Sequence, residues 1–139
     1  MIILDTNVVS ALMSDVRVTR VDAWLDRQSG HAIWTTAITV YELRFGIATL
    51  PTGRRSRALE ADFVLAIAQL LGNRVLPLDA LAADAAARLA AQREADGRAV
   101  GVEDTLIAGI AISRKATLAT RNVRHFADLD VPVIDPWTA

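Results

Sequence analysis

At 139 residues the chain has the length of one ordinary domain, and a 53% hydrophobic composition lets it bury a core without staples. The absence of cysteine excludes disulfides, thiolate metal sites and cysteine nucleophiles. A net charge of -1 argues against a simple electrostatic nucleic-acid binder, less so against a nuclease that recruits cations; the basic residues are arginine apart from Lys115, which suits phosphate contacts and equally a GC-rich genome.

The chain opens Met1-Ile2-Ile3-Leu4-Asp5. With no basic n-region and a carboxylate this early, it does not read as a signal peptide. Residues 2–4 form a short apolar run, the pattern of a buried strand. Val8, Val9, Leu12 and Met13 predict a helix over 6–13, and Val18, Val21, Trp24 and Leu25 a second over 16–28. Residues 32–35 read as a strand. From Thr36, Ile38, Tyr41, Phe45 and Ala48 recur at helical spacing until Pro51-Thr52-Gly53. A fourth helix covers 54–71, stopped by Gly72-Asn73, and 75–76 is a third strand. An alanine-rich helix covers 79–95 and ends at Asp96-Gly97, with a loop over 98–101. The helix over 102–114 is strongly apolar, but its longest run (106–112) falls well short of the roughly 18 residues of a membrane span. Residues 116–119 form a fourth strand, and 131–134, interrupted by Pro132, an edge strand at best.

There is no internal repeat and no linker, so residues 1–139 read as a single cytoplasmic domain with no membrane contact. Strands separated by helices imply an α/β fold: a parallel sheet of four to five strands in three layers, helices on both faces. Ligands in such sheets bind beyond the carboxyl ends of the strands, where the strand order reverses. The site is therefore expected just after the first and fourth strands.

Three carboxylates stand where apolar or ligand-facing residues are expected. Asp5 ends the first strand and points at the ligand crevice; it is equally placed to cap the helix starting at Thr6. Glu42 lies one turn from both Ile38 and Phe45, bordering the apolar stripe, where a carboxylate is costly unless paired or bound to metal. It also completes a capping box with Thr39, provided the helix starts there; Thr36 is the better start because Ile38 already belongs to the periodic face. Asp104 opens the helix above Ile107, Ala108 and Ala111. The helix dipole favours an acid there, but Glu103 is equally eligible, which leaves one of the two unexplained. Clustered carboxylates need cations between them, and oxygen ligands without His or Cys select magnesium or manganese. Such ions support phosphodiester hydrolysis.

The segments Ile3-Leu4-Asp5-Thr6-Asn7, Val40-Tyr41-Glu42-Leu43, Glu103-Asp104-Thr105-Leu106-Ile107-Ala108 and Ala119-Thr120-Arg121-Asn122-Val123-Arg124-His125-Phe126 resemble, in order and spacing, the acidic motifs of the PIN-domain family. The likeness is greatest to its VapC and FitB toxins and covers essentially the whole chain. It implies a magnesium- or manganese-dependent endoribonuclease acting on RNA, often transfer RNA, as the toxin of a toxin–antitoxin pair. It further implies a homodimer and a cognate antitoxin with a DNA-binding domain. Asp5, Glu42 and Asp104 match the metal-binding acids. Asn122 stands where the family often has a fourth acid, keeping an oxygen ligand but losing a charge. That departure admits an alternative, a catalytically weak RNA-binding or interaction module on the same scaffold. Thr6 matches the hydroxyl residue beside the first acid, and Thr120 is placed to orient ligands from behind.

Arg44, Arg121 and Arg124 are candidates for holding RNA, with solvated surface charge as the plain alternative. Apolar residues on the first two helices (Val9, Leu12, Met13, Val16, Trp24) and on the third and fourth (Phe45, Ile47, Leu50, Phe63) exceed what one core face needs; they are placed to form a groove for an antitoxin helix, with packing against one another or a homodimer interface as the alternatives. A dehalogenase-like phosphatase is disfavoured because Asn7 replaces its second acid, and a receiver domain because Lys115 precedes the fourth strand. His31 lies at the wrong end of the sheet, and His125 reads as structural or solvent-facing, so imidazole chemistry is not expected.

Overall fold

A computed structural model describes residues 1–139. Five strands, β1 (Ile2–Leu4), β2 (Ile33–Thr36), β3 (Val75–Leu76), β4 (Thr117–Ala119) and β5 (Val133–Ile134), form one parallel sheet in the order β3-β2-β1-β4-β5. Six helices connect them: α1 (Thr6–Met13), α2 (Thr19–Asp26), α3 (Ala37–Ala48), α4 (Arg54–Leu65), α5 (Ala80–Ala95) and α6 (Val102–Arg114). The chain builds outward from β1 through β2 to β3, then returns to β1's other side with β4 and β5. The order therefore reverses between β1 and β4, where Leu4 pairs with Ala119 and the Asp5 amide donates to the Ala119 carbonyl at 2.9 Å.

Successive strand residues face opposite sides of a sheet, so strands covered on both faces must be apolar throughout. Leu4, Ile33 and Ala119 pack into one core with Val8, Val9, Val21, Trp24 and Phe63. Ile3 and Leu118 pack into the other with Ile107, Ile110, Ala111 and Phe126. This is the expected three-layer α/β arrangement.

The differences from the expected elements have local causes. α2 starts at Thr19 rather than residue 16, because the Val16 amide donates to Ser14 Oγ at 3.1 Å in a turn that leaves Val16 78% exposed. The fourth helix ends at Leu65 and continues as a π-helical turn, Ala66–Leu70. β5 is only Val133–Ile134; Pro132 cannot donate, but its carbonyl accepts from the Leu118 amide at 2.9 Å, as an edge strand permits. Of the apolar residues left between a partner groove and mutual packing, Val9, Met13, Trp24 and Phe63 are buried in the core, while Val16 and Phe45 remain exposed. Those four fill the space between the sheet and α1, α2 and α4, which sequence periodicity could not apportion.

The alanines of α5 are explained by α6. A Cβ built on Gly109 would lie 2.5 Å from the Ala82 carbonyl oxygen and 2.6 Å from Ala86 Cβ. The two helices thus meet almost backbone to backbone, through Gly109, Ala82 and Ala86. Gly109→Ala is expected to lower stability by about 1–3 kcal/mol, the usual cost of overpacking. Urea unfolding checks this; an unchanged midpoint would mean that the helices can part freely.

Candidate active site

Asp5 sits at the reversal point, 2% exposed. The capping reading holds, at the edge of the sheet where a ligand is expected. It is the N-cap of α1, its Oδ1 accepting from the Thr6 amide at 2.8 Å. Its Oδ2 accepts from Thr120 Oγ1 at 2.7 Å and from Asn7 Nδ2 at 3.3 Å. Thr120 is fully buried and carries the loop after β4: its Oγ1 also accepts from the Asn122 amide at 3.0 Å. Asn7 closes the same knot, its Oδ1 accepting from the Arg121 amide at 3.1 Å. The ends of β1 and β4 are therefore locked together by side chains around one carboxylate.

Thr36, not Thr39, caps α3: its Oγ1 accepts from the Thr39 amide at 3.2 Å. Glu42 is thereby freed from any capping box, and its Oε1 accepts from Thr6 Oγ1 at 2.8 Å. Thr6 Oγ1 also lies 3.0 Å from Thr39 Oγ1. Thr6 thus touches two of the expected acids, Asp5 through its amide and Glu42 through its hydroxyl.

Asp104 and Glu103 both lie in the first turn of α6, where the dipole favours them. They differ in surroundings. Glu103 is exposed, whereas Asp104 is half-buried, its Oδ2 in hydrogen-bond contact with His125 Nδ1 at 2.6 Å. His125 is thus both a contact of Asp104 and, with a side chain 51% exposed, solvent-facing. It sits in a single 3-10 turn, Val123–Phe126, whose N-cap is Asn122. Asn122 is exposed beside that turn, with no capping bond from its side chain. His31 lies in the turn Gly30–Ala32 before β2, at the opposite end of the sheet, as expected.

Burial raises the Asp5 carboxyl above its usual range; the Thr120 and Thr6 hydrogen bonds oppose this, and the nearby charge of Asp104 adds to it. Burial likewise raises Glu42, against the Thr6 hydrogen bond and with the charges of Asp5, Asp104 and Glu103. These acids feel one another, yet neither Asp5 nor Glu42 has a basic side chain in ion-pair range, and Asp104 pairs only with His125. A buried carboxylate without a counter-ion is a deficit that a cation would fill. The donors are hard oxygens, which fit magnesium or manganese. They are not a finished cage: no three Asp, Glu or His side chains stand close enough together to hold an ion as they are.

Of the three candidate arginines, Arg44 is paired with Glu60 and lies 4.4 Å over the Phe63 ring. Both side chains of that pair are about half exposed. Arg121 and Arg124 are exposed and share a polar hollow with Asn122, Val123 and His125; Arg121 also lies 4.9 Å over the Trp137 ring.

Sequence reasoning did not single out Asn7, Thr39, His125 or Arg93 as parts of this edge. Asn7 was legible in principle, as a polar residue two positions from Asp5 on a helix otherwise apolar at Val8 and Val9. Arg93, 3% exposed, reads in sequence as any basic residue near a helix end.

The family described as PIN domain matches residues 2–132. The chain is 37% identical over 137 residues to the VapC ribonuclease Y4jK of Sinorhizobium fredii, covering 99% of this chain and 98% of that protein. It is 36% identical over 137 residues to Toxin FitB of Neisseria gonorrhoeae, covering 99% of each. The solved structure of FitAcB from Neisseria gonorrhoeae matches with a TM-score of 0.88 at 35% identity, over 100% of both chains.

Proposed function

This chain belongs to the PIN-domain family, among proteins of the VapC and FitB type, and from that premise we propose that it is a ribonuclease toxin whose carboxylate edge hydrolyses RNA with magnesium or manganese. The observation that carries the reading is Asp5: a buried acid, at the one place where the sheet order reverses, with no basic partner. Asp5, Glu42 and Asp104 would hold the ion. When bound, it supplies a nucleophilic water at neutral pH and charge stabilisation for the leaving oxygen.

The chain's own residues do the rest. Thr120 and Asn7 fix the direction of Asp5 Oδ2, and Thr6 fixes Asp5 Oδ1 and Glu42 Oε1, so these two carboxylates are oriented in the metal-free chain. Asn122 offers an oxygen without a charge at the rim. Arg121 and Arg124 are poised to take RNA phosphates beside it, with Arg44 a lesser contributor. The reading predicts cleavage of RNA, with transfer RNA among the substrates to try, that stops on addition of EDTA and returns with manganese. Purified, folded protein that cleaves no RNA with either ion would overturn it in favour of a non-catalytic binding module.

Phosphate contacts release counterions, so binding to single-stranded RNA should weaken with salt. Each of Arg121→Ala and Arg124→Ala should reduce the log–log salt slope by about 0.7, the value for one phosphate on a single strand. Slopes equal to that of the unaltered protein would remove both residues from the RNA surface.

A nuclease of this kind must be restrained in its own cell. We assign it a cognate antitoxin with a DNA-binding domain and a segment that lies on the toxin, and a homodimeric toxin as the receiving unit. Phe45 stacks on Tyr41 with ring centroids 6.1 Å apart, both rings exposed, and a shallow hollow lies between Leu12, Met13, Leu65 and Leu70. These are apolar surfaces that a partner would cover. Expression alone should arrest growth, and co-expression with the neighbouring small reading frame should relieve it and yield a co-purifying complex. Harmless expression with no co-purifying product would refute the toxin role while leaving the fold intact.

A further inference from the structure

Two pieces of the acidic edge come from separate segments: the first turn of α6, which carries Asp104, and the 3-10 turn after β4, which carries His125. One side chain spans both. Arg93, near the end of α5, donates from Nη1 to Thr105 Oγ1 at 2.9 Å and from Nη2 to the His125 carbonyl at 2.7 Å. Its Nε and Nη2 form a fork with Asp128 Oδ2 and Oδ1 at 2.9 and 3.0 Å. Arg98 stands alongside, Nε 3.7 Å from Asp128 Oδ2, its Nη2 donating to the Arg124 carbonyl. Asp128 therefore anchors two guanidinium groups that hold the carbonyls of residues 124 and 125.

Burying a guanidinium is a poor way to gain stability, since well-packed apolar residues do as well or better. A flat fork with donors in fixed directions does something apolar packing cannot: it sets angles. Thr105 is fixed in turn, because its hydroxyl donates to the Gly101 carbonyl at 3.0 Å and so presents a lone pair to Arg93. Thr105 adjoins Asp104 in the chain, and the His125 ring meets Asp104 across the gap at 2.6 Å. Arg93 thus holds the residue next to Asp104 on one side of that contact and the backbone of His125 itself on the other.

We propose that Arg93, held by Asp128, is a positioning residue that sets the first turn of α6 against the 3-10 turn after β4, and so fixes where Asp104 and His125 stand at the acidic edge. The proposal rests on the nuclease reading above. It implies that losing one guanidinium contact weakens cation binding and turnover out of proportion to any loss of fold.

The test uses Thr105→Val, Thr105→Ser and Arg93→Lys in the full chain. Measured are kcat and KM on RNA, manganese affinity by calorimetry without RNA, the ring-nitrogen NMR signals of His125 in metal-free protein, and the thermal midpoint. Thr105→Val is expected to lower kcat and manganese affinity by about 10-fold or more with KM little changed, the scale of losing a group that orients a ligand. Thr105→Ser should restore both, and Arg93→Lys should act in the same direction as Thr105→Val. Folded Thr105→Val with wild-type kcat and manganese affinity overturns the proposal, as does a loss that tracks only the unfolded fraction. If the unaltered protein cleaves no RNA, the nuclease reading falls and the clamp is judged separately: His125 signals moved by Thr105→Val and restored by Thr105→Ser support it, and unmoved signals overturn it.

Discussion

Asp5→Asn is expected to lower RNA cleavage by about 100-fold or more while leaving a folded protein. Residues that merely orient a metal ligand cost about 10- to 100-fold when lost, and Asp5 is assigned as a ligand itself. The substitution keeps the shape and one acceptor, so the Thr6 amide still has a partner at Oδ1. The change falls on Oδ2, which becomes an NH2 facing Thr120 Oγ1 and Asn7 Nδ2. Thr120 then loses the acceptor for its proton, and two amide groups face each other where one acceptor sat. Against this local cost stands the removal of a buried charge that has no counter-ion. The metal-free variant is therefore expected to melt close to the unaltered protein, or above it. Rates in manganese and in EDTA, with circular dichroism for the fold, decide the matter. A folded variant with full manganese-dependent activity would remove Asp5 from the metal site and with it the central premise of the mechanism.

Much of this was legible in the sequence because the governing physics is local. β1, α1, β3 and α6 have the expected bounds, since each is a short apolar or amphipathic run bounded by a polar residue, a glycine or, after β3, Pro77. Asp5, Glu42 and Asp104 stood out because a carboxylate beside an apolar face has few inexpensive explanations. What the sequence hid is tertiary. Nothing near Thr6 in the chain says that its hydroxyl meets Glu42, 36 positions away. His125 read only as structural or solvent-facing, because its partner, Asp104, belongs to another element. The burial of Arg93 depends on Thr105, Asp128 and a carbonyl from the far side of β4, and no periodicity carries that. The choice between partner groove and mutual packing stayed open for the same reason: an apolar residue on an amphipathic helix looks alike whether it meets the sheet or a partner.

Manganese is expected to stabilise the folded chain strongly near neutral pH and hardly at all in acid. In metal-free protein Asp5 and Glu42 have raised carboxyl pKa values, chiefly from burial. Their neutral forms suit the folded state, so that contribution is complete below the ordinary carboxylate range and is lost as pH rises through the raised values. Asp128 works the other way. Its hydrogen bonds from Arg93 lower its pKa, so its contribution is present above the ordinary carboxylate range and is lost as pH falls through the lowered value. Metal-free stability should therefore peak in mildly acidic solution and decline on both sides. Only ionised carboxylates bind the cation, so added manganese should reverse the decline on the alkaline side and leave the acid side alone. At about 100 times its dissociation constant, the ion contributes about 2.7 kcal/mol. For a domain of this size that is a rise of roughly 5–12 °C in thermal midpoint. Melting curves from about pH 4 to pH 8, each in EDTA and in manganese, give the difference directly. Asp5→Asn should flatten both the alkaline decline and the manganese effect. A manganese shift of equal size at both ends of the range, or none at pH 8, would show that the buried carboxylates are not where the cation binds.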